Sequence, residues 1–244
     1  TLRLIAAEDV VAVDLDLVPN FENVFEGLKD QPHNTVDGVA YGVPHGRGAN
    51  LLVYRTDKVT DTVDSWSLVF DPASPAAAAK AVSVYDSPIY IADAALYLKA
   101  TNPDLNITNP YELDEEQFTA AVDLLKAQKA FVGEYWADAA KQIQSFTSAD
   151  SLAGTTWQYQ VNQLKGAKEP VPVEAILPKE GSTGWSDTWM VSSSSKNPNC
   201  AYLWLDYIIS PEANAKATEY FGEAPVSEEA CGLTADPNHC ETFH

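Results

Sequence analysis

Leu177-Pro-Lys-Glu-Gly-Ser-Thr-Gly-Trp-Ser-Asp-Thr-Trp-Met-Val191 is a stretch whose residue types serve recognition better than packing. Pro178 and Gly181 interrupt regular structure, and Gly184 lets the backbone come close to a ligand. Trp185 and Asp187 stand two apart, so an extended segment points both to one side. An indole face beside a carboxylate holds an organic cation by cation–π attraction and a charged hydrogen bond. The competing reading is a surface turn leading into a buried strand, with Trp185 as ordinary core.

Upstream and downstream of this stretch, apolar strand-like runs alternate with helical spacing. Residues 39–54 read as two strands broken by His45-Gly-Arg-Gly48, a second candidate for a pocket wall. Residues 81–85 read as a strand that turns through Asp86-Ser-Pro88 into an apolar helix, and such turns bind ligands in open α/β sheets. Asp114 caps a helix with Phe118, Ala121, Val122 and Leu125 on one face. Residues 135–146 have helical spacing with Trp136, Ala140 and Ile143 inward. Strands follow at 151–157 and 171–177, then helices at 200–209 and from Ser210 to Phe221. The alternation makes the class α/β. The two glycine-bearing crossings, near 42–48 and 178–187, read as hinge strands between two lobes.

Fifteen basic against 35 acidic residues among 244 leave a formal charge of −20. That disfavours nucleic acid and anionic membrane surfaces, whose phosphates need a basic face. No apolar run approaches the roughly 18 residues of a membrane span. The three cysteines, Cys200, Cys231 and Cys240, lie near the end of the sequence. They suit disulfide use in an oxidising compartment better than a metal site, with Cys231–Cys240 the favoured pair. The four histidines have no metal-ligand spacing. Gly-x-Ser-x-Gly, a phosphate-binding loop and a dinucleotide-binding glycine pattern are all missing, so neither a metal nor a cofactor is expected. The pattern favours binding over catalysis.

The order of several segments carries more. Trp157 after a glycine-containing strand, Leu177-Pro-Lys-Glu-Gly181, Trp185-Ser-Asp187, Asn197-Pro198 and Ile208-Ile-Ser-Pro-Glu212 follow in one sequence, preceded by Tyr41-Gly-Val-Pro44 and residues 48–54. This order resembles the polyamine-type (spermidine/putrescine) substrate-binding proteins of bacterial ABC importers. The resemblance implies a two-lobed α/β receptor of the class II-like periplasmic-binding-protein type, monomeric, closing on a small solute and docking on a membrane permease. It implies residues 1–42 and 185–226 in a first lobe and 43–184 with 227–244 in a second. The first lobe's opening strand–helix–strand has no counterpart here, so a fragment of a longer receptor is expected, periplasmic or extracellular and lipid-anchored through a missing N-terminus.

The same resemblance places Trp157, Trp185 and Asp187 at ligand-contacting positions, Asp86 and Tyr90 at a turn that often carries amine-binding acids, and Glu223 where the family has an aromatic residue. Arg47, near the expected cleft, would repel a cation. The solute is therefore expected to be amine-bearing and polyamine-like, with a zwitterionic or anionic solute, or a hydrolase on the same two-lobe plan, as alternatives.

Overall fold

In Leu51-Leu-Val-Tyr-Arg55, consecutive apolar side chains leave the strand on opposite faces, and each finds a core. The computed structural model describes residues 2–243. In it Leu52 joins a cluster with Trp66, Phe70, Val82, Val84 and Tyr90, whereas Val53 joins Phe146, Val161, Leu164 and Val173. A strand apolar on both faces belongs in a sheet covered on both faces.

That sheet organises one of two compact units, residues 49–184. Its five strands run in the order Val132–Trp136, Val82–Tyr85, Ala153–Thr156, Leu51–Arg55, Val173–Ile176. Val82–Tyr85 is parallel to both its neighbours; Leu51–Arg55 is antiparallel to both of its own. Helices Tyr90–Thr101 and Glu115–Gln128 feed Ala94, Ala95 and Ala121 into the first cluster, and helices Ala139–Thr147 and Gln158–Lys165 fill the second. Helix Glu115–Gln128 starts on a capping box, Asp114 accepting from the Gln117 N–H and the Gln117 side chain accepting from the Asp114 N–H. Gly154 is required by the sheet itself, since a Cβ there would lie 2.1 Å from the Ser83 carbonyl oxygen.

Two local expectations change. Trp136 ends a strand instead of opening a helix; Asp138 caps the helix that begins at Ala139. The His45-Gly-Arg-Gly48 run does not break a strand but lies inside one, Val43–Ala49.

The other unit comprises residues 1–48 and 185–244, of which 2–48 and 185–243 are described. Strand Val43–Ala49 pairs with Gly184–Trp189. Val18, Val24, Val43, Val191, Leu205, Ile209 and Val226 form its core, under helices Pro198–Ile208 and Pro211–Phe221. Residues 43–48 and 227–243, assigned from sequence to the second lobe, pack in this unit. The reason is local: helix Glu228–Cys231, capped by Ser227, packs on helix Pro211–Phe221. Buried His239 bonds through Nε2 to the Glu223 carbonyl at 2.8 Å. Cys231 and Cys240 are disulfide-bonded, and Cys200 is free and exposed. Among the described residues no helix is long and apolar enough to cross a membrane.

Candidate functional site

The unit of residues 2–48 and 185–243 gathers four of the expected residues, Arg47, Trp185, Asp187 and Glu223, around one strand. Helix Pro211–Phe221 stops at Gly222, which takes a positive φ of 71°, and the Glu223 N–H then closes on the Thr218 carbonyl at 2.8 Å. Asn214, fully buried, fixes the course of the chain beyond that stop: its amide donates to the His45 carbonyl at 2.9 Å and accepts from the Val226 N–H at 3.0 Å. Paired bonds between Arg47 and Ala224 complete the seam. The Glu223 side chain is thereby laid over Gly46, where a Cβ would come within 2.3 Å of Oε2. Glycine at 46 is a space requirement of this carboxyl. Gly48 plays the same part for Trp185, whose ring would lie 2.5 Å from a Cβ at that position.

Glu223 is 6% exposed, and its Oε2 has no hydrogen-bond partner. Burial first, then the charge of Asp187, pushes its pKa up to about 7. His45, edge-on to Trp189 at 5.3 Å between ring centres, stands with Nε2 3.6 Å from Glu223 Oε2. Burial lowers the His45 pKa, so both partners are driven toward their neutral forms. The approach is therefore a neutral imidazole beside a carboxyl that ionises near neutrality, not an ion pair.

Asp187 has much of its surface area in solvent, yet enough protein surrounds it to raise its pKa by desolvation. Arg47 does not neutralise either acid. Its guanidinium donates to the Pro225 carbonyl at 3.1 Å and lies over Phe25, 5.8 Å from the ring centre. Among the described residues, no lysine or arginine pairs with Asp187 or Glu223.

The unit of residues 49–184 carries the other three, Trp157, Asp86 and Tyr90. Trp157 precedes helix Gln158–Lys165 at the end of strand Ala153–Thr156. Its ring meets Trp136 at 4.9 Å and Tyr85 at 5.2 Å, both edge-on, and its Nε1–H donates to Asn50 Oδ1 at 3.2 Å. Trp136 is buried and fixed by its own Nε1–H, which donates to the Thr155 carbonyl. Asp86 is exposed at the end of the strand bearing Tyr85, its N–H bonded to the Trp136 carbonyl at 2.7 Å. Tyr90 departs from expectation. It is 4% exposed in the core, stacked on Phe70, with its hydroxyl taken by the Gln128 amide. One helical turn after the Asp86 turn, it belongs to the cluster that holds Val82 and Val84 of the sheet.

Sequence reasoning named His45 only within the pocket-wall run and did not single out Tyr85, Trp136 or Asn50 as site residues. For His45 the available signal was its place between Pro44 and Gly46 in the glycine-bearing run. For Tyr85 and Trp136 it was an aromatic at the final position of each strand.

These two residue sets have a family context. The sequence profile of bacterial extracellular solute-binding proteins matches residues 1–238. The chain belongs to that family. Among relatives, a putrescine-binding periplasmic protein of Pseudomonas aeruginosa is 27% identical, covering 85% of this chain and 57% of its own length. The putrescine-binding periplasmic protein of Escherichia coli is 24% identical, with 91% of this chain and 61% of its own covered. The chain thus spans less than two thirds of the length of these relatives. Solved structures share the fold. The spermidine/putrescine substrate-binding protein of Streptococcus pneumoniae superposes with a TM-score of 0.75 at 17% identity, over 97% of this chain and 68% of that one. A binding protein of A. tumefaciens B6, solved with glucopine, gives 0.77 at 18%, over 99% and 69%. The fold of this solute-binding family member is that of the two-lobed periplasmic binding proteins.

Proposed function

We propose that this family member is a receptor for a small amine-bearing solute, polyamine-like, serving an ABC importer outside the cytoplasmic membrane. The observation that carries the reading is the Asp187–Glu223 pair: Glu223 is buried over Gly46 with Oε2 unpartnered, Asp187 is near enough to raise its pKa further, and no lysine or arginine pairs with either among the described residues. A buried carboxyl held against its own ionisation is stabilised by an arriving ammonium group. Trp157 and Tyr85, partly exposed and backed by buried Trp136, suit an alkyl stem or a cation face. The names of the polyamine-binding relatives agree with this chemistry. An anion would meet like charge at Asp187 and Glu223, while Arg47 is engaged by Pro225 and Phe25.

In this reading Glu223 is the principal ammonium partner and Asp187, more open to solvent, the secondary one. Trp185 keeps its place as a site wall, and Asp86 contributes only charge at the rim of the aromatic set. Tyr90 is withdrawn from the site. The solute reaches a membrane permease through docking of the monomeric receptor, and binding proceeds without turnover.

Calorimetry at pH 8 with putrescine, spermidine, a zwitterionic amino acid and a dicarboxylate tests the assignment. Putrescine or spermidine is expected to bind. Glu223→Gln should weaken that binding by about 2–5 kcal/mol, the cost of truncating a buried hydrogen-bonded charge pair. Asp187→Asn should weaken it about tenfold, since exposed pairs contribute about 1 kcal/mol or less and coupling to Glu223 adds to that. Tighter binding of the dicarboxylate than of any amine would reject the proposal.

A further inference from the structure

Behind Trp157 lies a buried acid that the binding reading does not use. Asp93, on helix Tyr90–Thr101, is 3% exposed. It accepts a hydrogen bond from the Thr183 hydroxyl at 2.5 Å. Thr183 Oγ1 in turn accepts from Asn50 Nδ2 at 2.7 Å, and Asn50 Oδ1 accepts from the Trp157 indole N–H at 3.2 Å. A backbone bond from the Asn50 N–H to the Thr183 carbonyl, 2.9 Å, holds the middle of the run in place. Asn50 and Thr183 each stand within two residues of a point where the chain passes between its two compact units.

We propose that Asp93 is a positioning residue for Trp157, acting through Thr183 and Asn50 to set the direction of every hydrogen bond up to the indole. The reasoning is a matter of donors and acceptors. An ionised carboxylate can only accept, so the Thr183 hydroxyl must spend its one proton on Asp93 and offer a lone pair to Asn50. The Asn50 amide must then turn its NH2 toward Thr183, which leaves its carbonyl oxygen for the indole. Protonated Asp93 lifts that constraint, because a carboxylic acid can donate as well as accept, and a second direction opens to the run. In that direction the Asp93 O–H donates to Thr183, whose own proton passes to Asn50, and the amide flips to receive it. The NH2 then faces the indole N–H, donor against donor, and Trp157 loses its acceptor.

Burial holds the Asp93 carboxyl at about 6, with the Thr183 bond opposing the rise, so the reversal falls within an accessible pH range. The titratable neighbour on the same helix is Tyr90, which feels the Asp93 charge and stays protonated, its hydroxyl taken by Gln128. The packed helix Glu115–Gln128 sends its neutral Gln128 amide to that Tyr90 hydroxyl, and Thr183, just before strand Gly184–Trp189, donates to Asp93. No basic side chain pairs with Asp93 among the described residues. The inference rests on the proposed function only where it concerns solute affinity; the relay itself does not depend on the identity of the solute.

The test is the indole 1H–15N resonance of Trp157 in the 15N-labelled chain, assigned by its loss in Trp157→Phe and followed from pH 5 to pH 8. In the unsubstituted protein the resonance should move with a midpoint near 6. In Asp93→Asn the movement should vanish, because an amide neither ionises nor forces one direction on the run. A Trp157 resonance that does not titrate in this range in the unsubstituted protein would overturn the proposal, and that measurement needs no variant to fold. So would an unchanged titration in Asp93→Asn. Thr183→Ser, which keeps the hydroxyl, should retain the titration, and Thr183→Val should abolish it. For solute affinity, Asp93→Asn should weaken putrescine about fivefold at pH 8, the worth of one modest hydrogen bond. A titrating indole with no amine binding at all would leave the relay standing and reject the amine reading alone.

Discussion

Replacing Glu223 by glutamine should make the protein more stable while emptying its proposed site. The carboxyl titrates near 4.5 in an unfolded chain and at about 7 in the fold. Below pH 4.5 it is protonated in both states and contributes no difference. Between 4.5 and 7 the unfolded chain releases the proton that the folded chain keeps, so stability falls as pH rises. Above 7 the full cost is present. At about 1.4 kcal/mol per pH unit, the span from 4.5 to about 7 corresponds to roughly 3 kcal/mol. The residue is 6% exposed, so solvent screening takes little from that figure.

Glutamine has nearly the same shape and does not ionise. Glu223→Gln should therefore unfold at about the same temperature as the parent near pH 4.5 and about 6–12 °C higher at pH 8, using 2–4 °C per kcal/mol for a chain of this size. His45 works in the opposite sense. Its lowered pKa contributes stability that is lost as pH falls through 6.5. It is present in both proteins, so its contribution cancels in the difference between them except for its coupling to Glu223 across 3.6 Å. Circular dichroism melts at half-unit steps from pH 4.5 to 8 measure the curve. A difference in Tm that does not grow with pH, or a variant less stable at pH 8, would refute the account of a carboxyl strained by burial. Binding sites that trade stability for function show this signature.

Two further outcomes concern the scaffold. Gly154→Ala should prevent the five-stranded sheet from forming properly, since the new Cβ would stand 2.1 Å from a backbone oxygen that cannot rotate away; loss of soluble folded protein or a destabilisation of about 3–5 kcal/mol in a denaturant melt is expected, at the high end for single substitutions. Replacing both Cys231 and Cys240 by serine opens a nine-residue separation, for which the chain-entropy relation gives about 2.5 kcal/mol; a melt of the double variant, read beside Cys200→Ser as control, checks it.

Much of the scaffold was legible along the chain because it is written in periodicity. Helices such as Glu115–Gln128 and Pro211–Phe221 carry their own caps and stops, and strands such as Leu51–Arg55 carry apolar residues on both faces. Those signals are local. The reading of Trp136 failed because an aromatic at a strand's end is indistinguishable, by spacing with Ala140 and Ile143, from the first turn of a helix. The glycines at 46 and 48 were legible as sites of close approach, but not as part of a strand. What demands them, the Glu223 carboxyl and the Trp185 ring, comes from more than 130 residues away along the sequence.

The sequence by itself determined the α/β class, the family resemblance and the acidic, aromatic character of the recognition residues, and it favoured the Cys231–Cys240 pair that the structure then shows. Tertiary structure alone decided which of those residues come together. It set Glu223 against His45 and near Asp187, turned Tyr90 into the core, engaged Arg47 elsewhere and connected Asp93 to Trp157. The division has one cause. Patterning depends on neighbours in the chain, whereas a pKa or a hydrogen-bond direction depends on whatever groups the fold brings within a few ångströms.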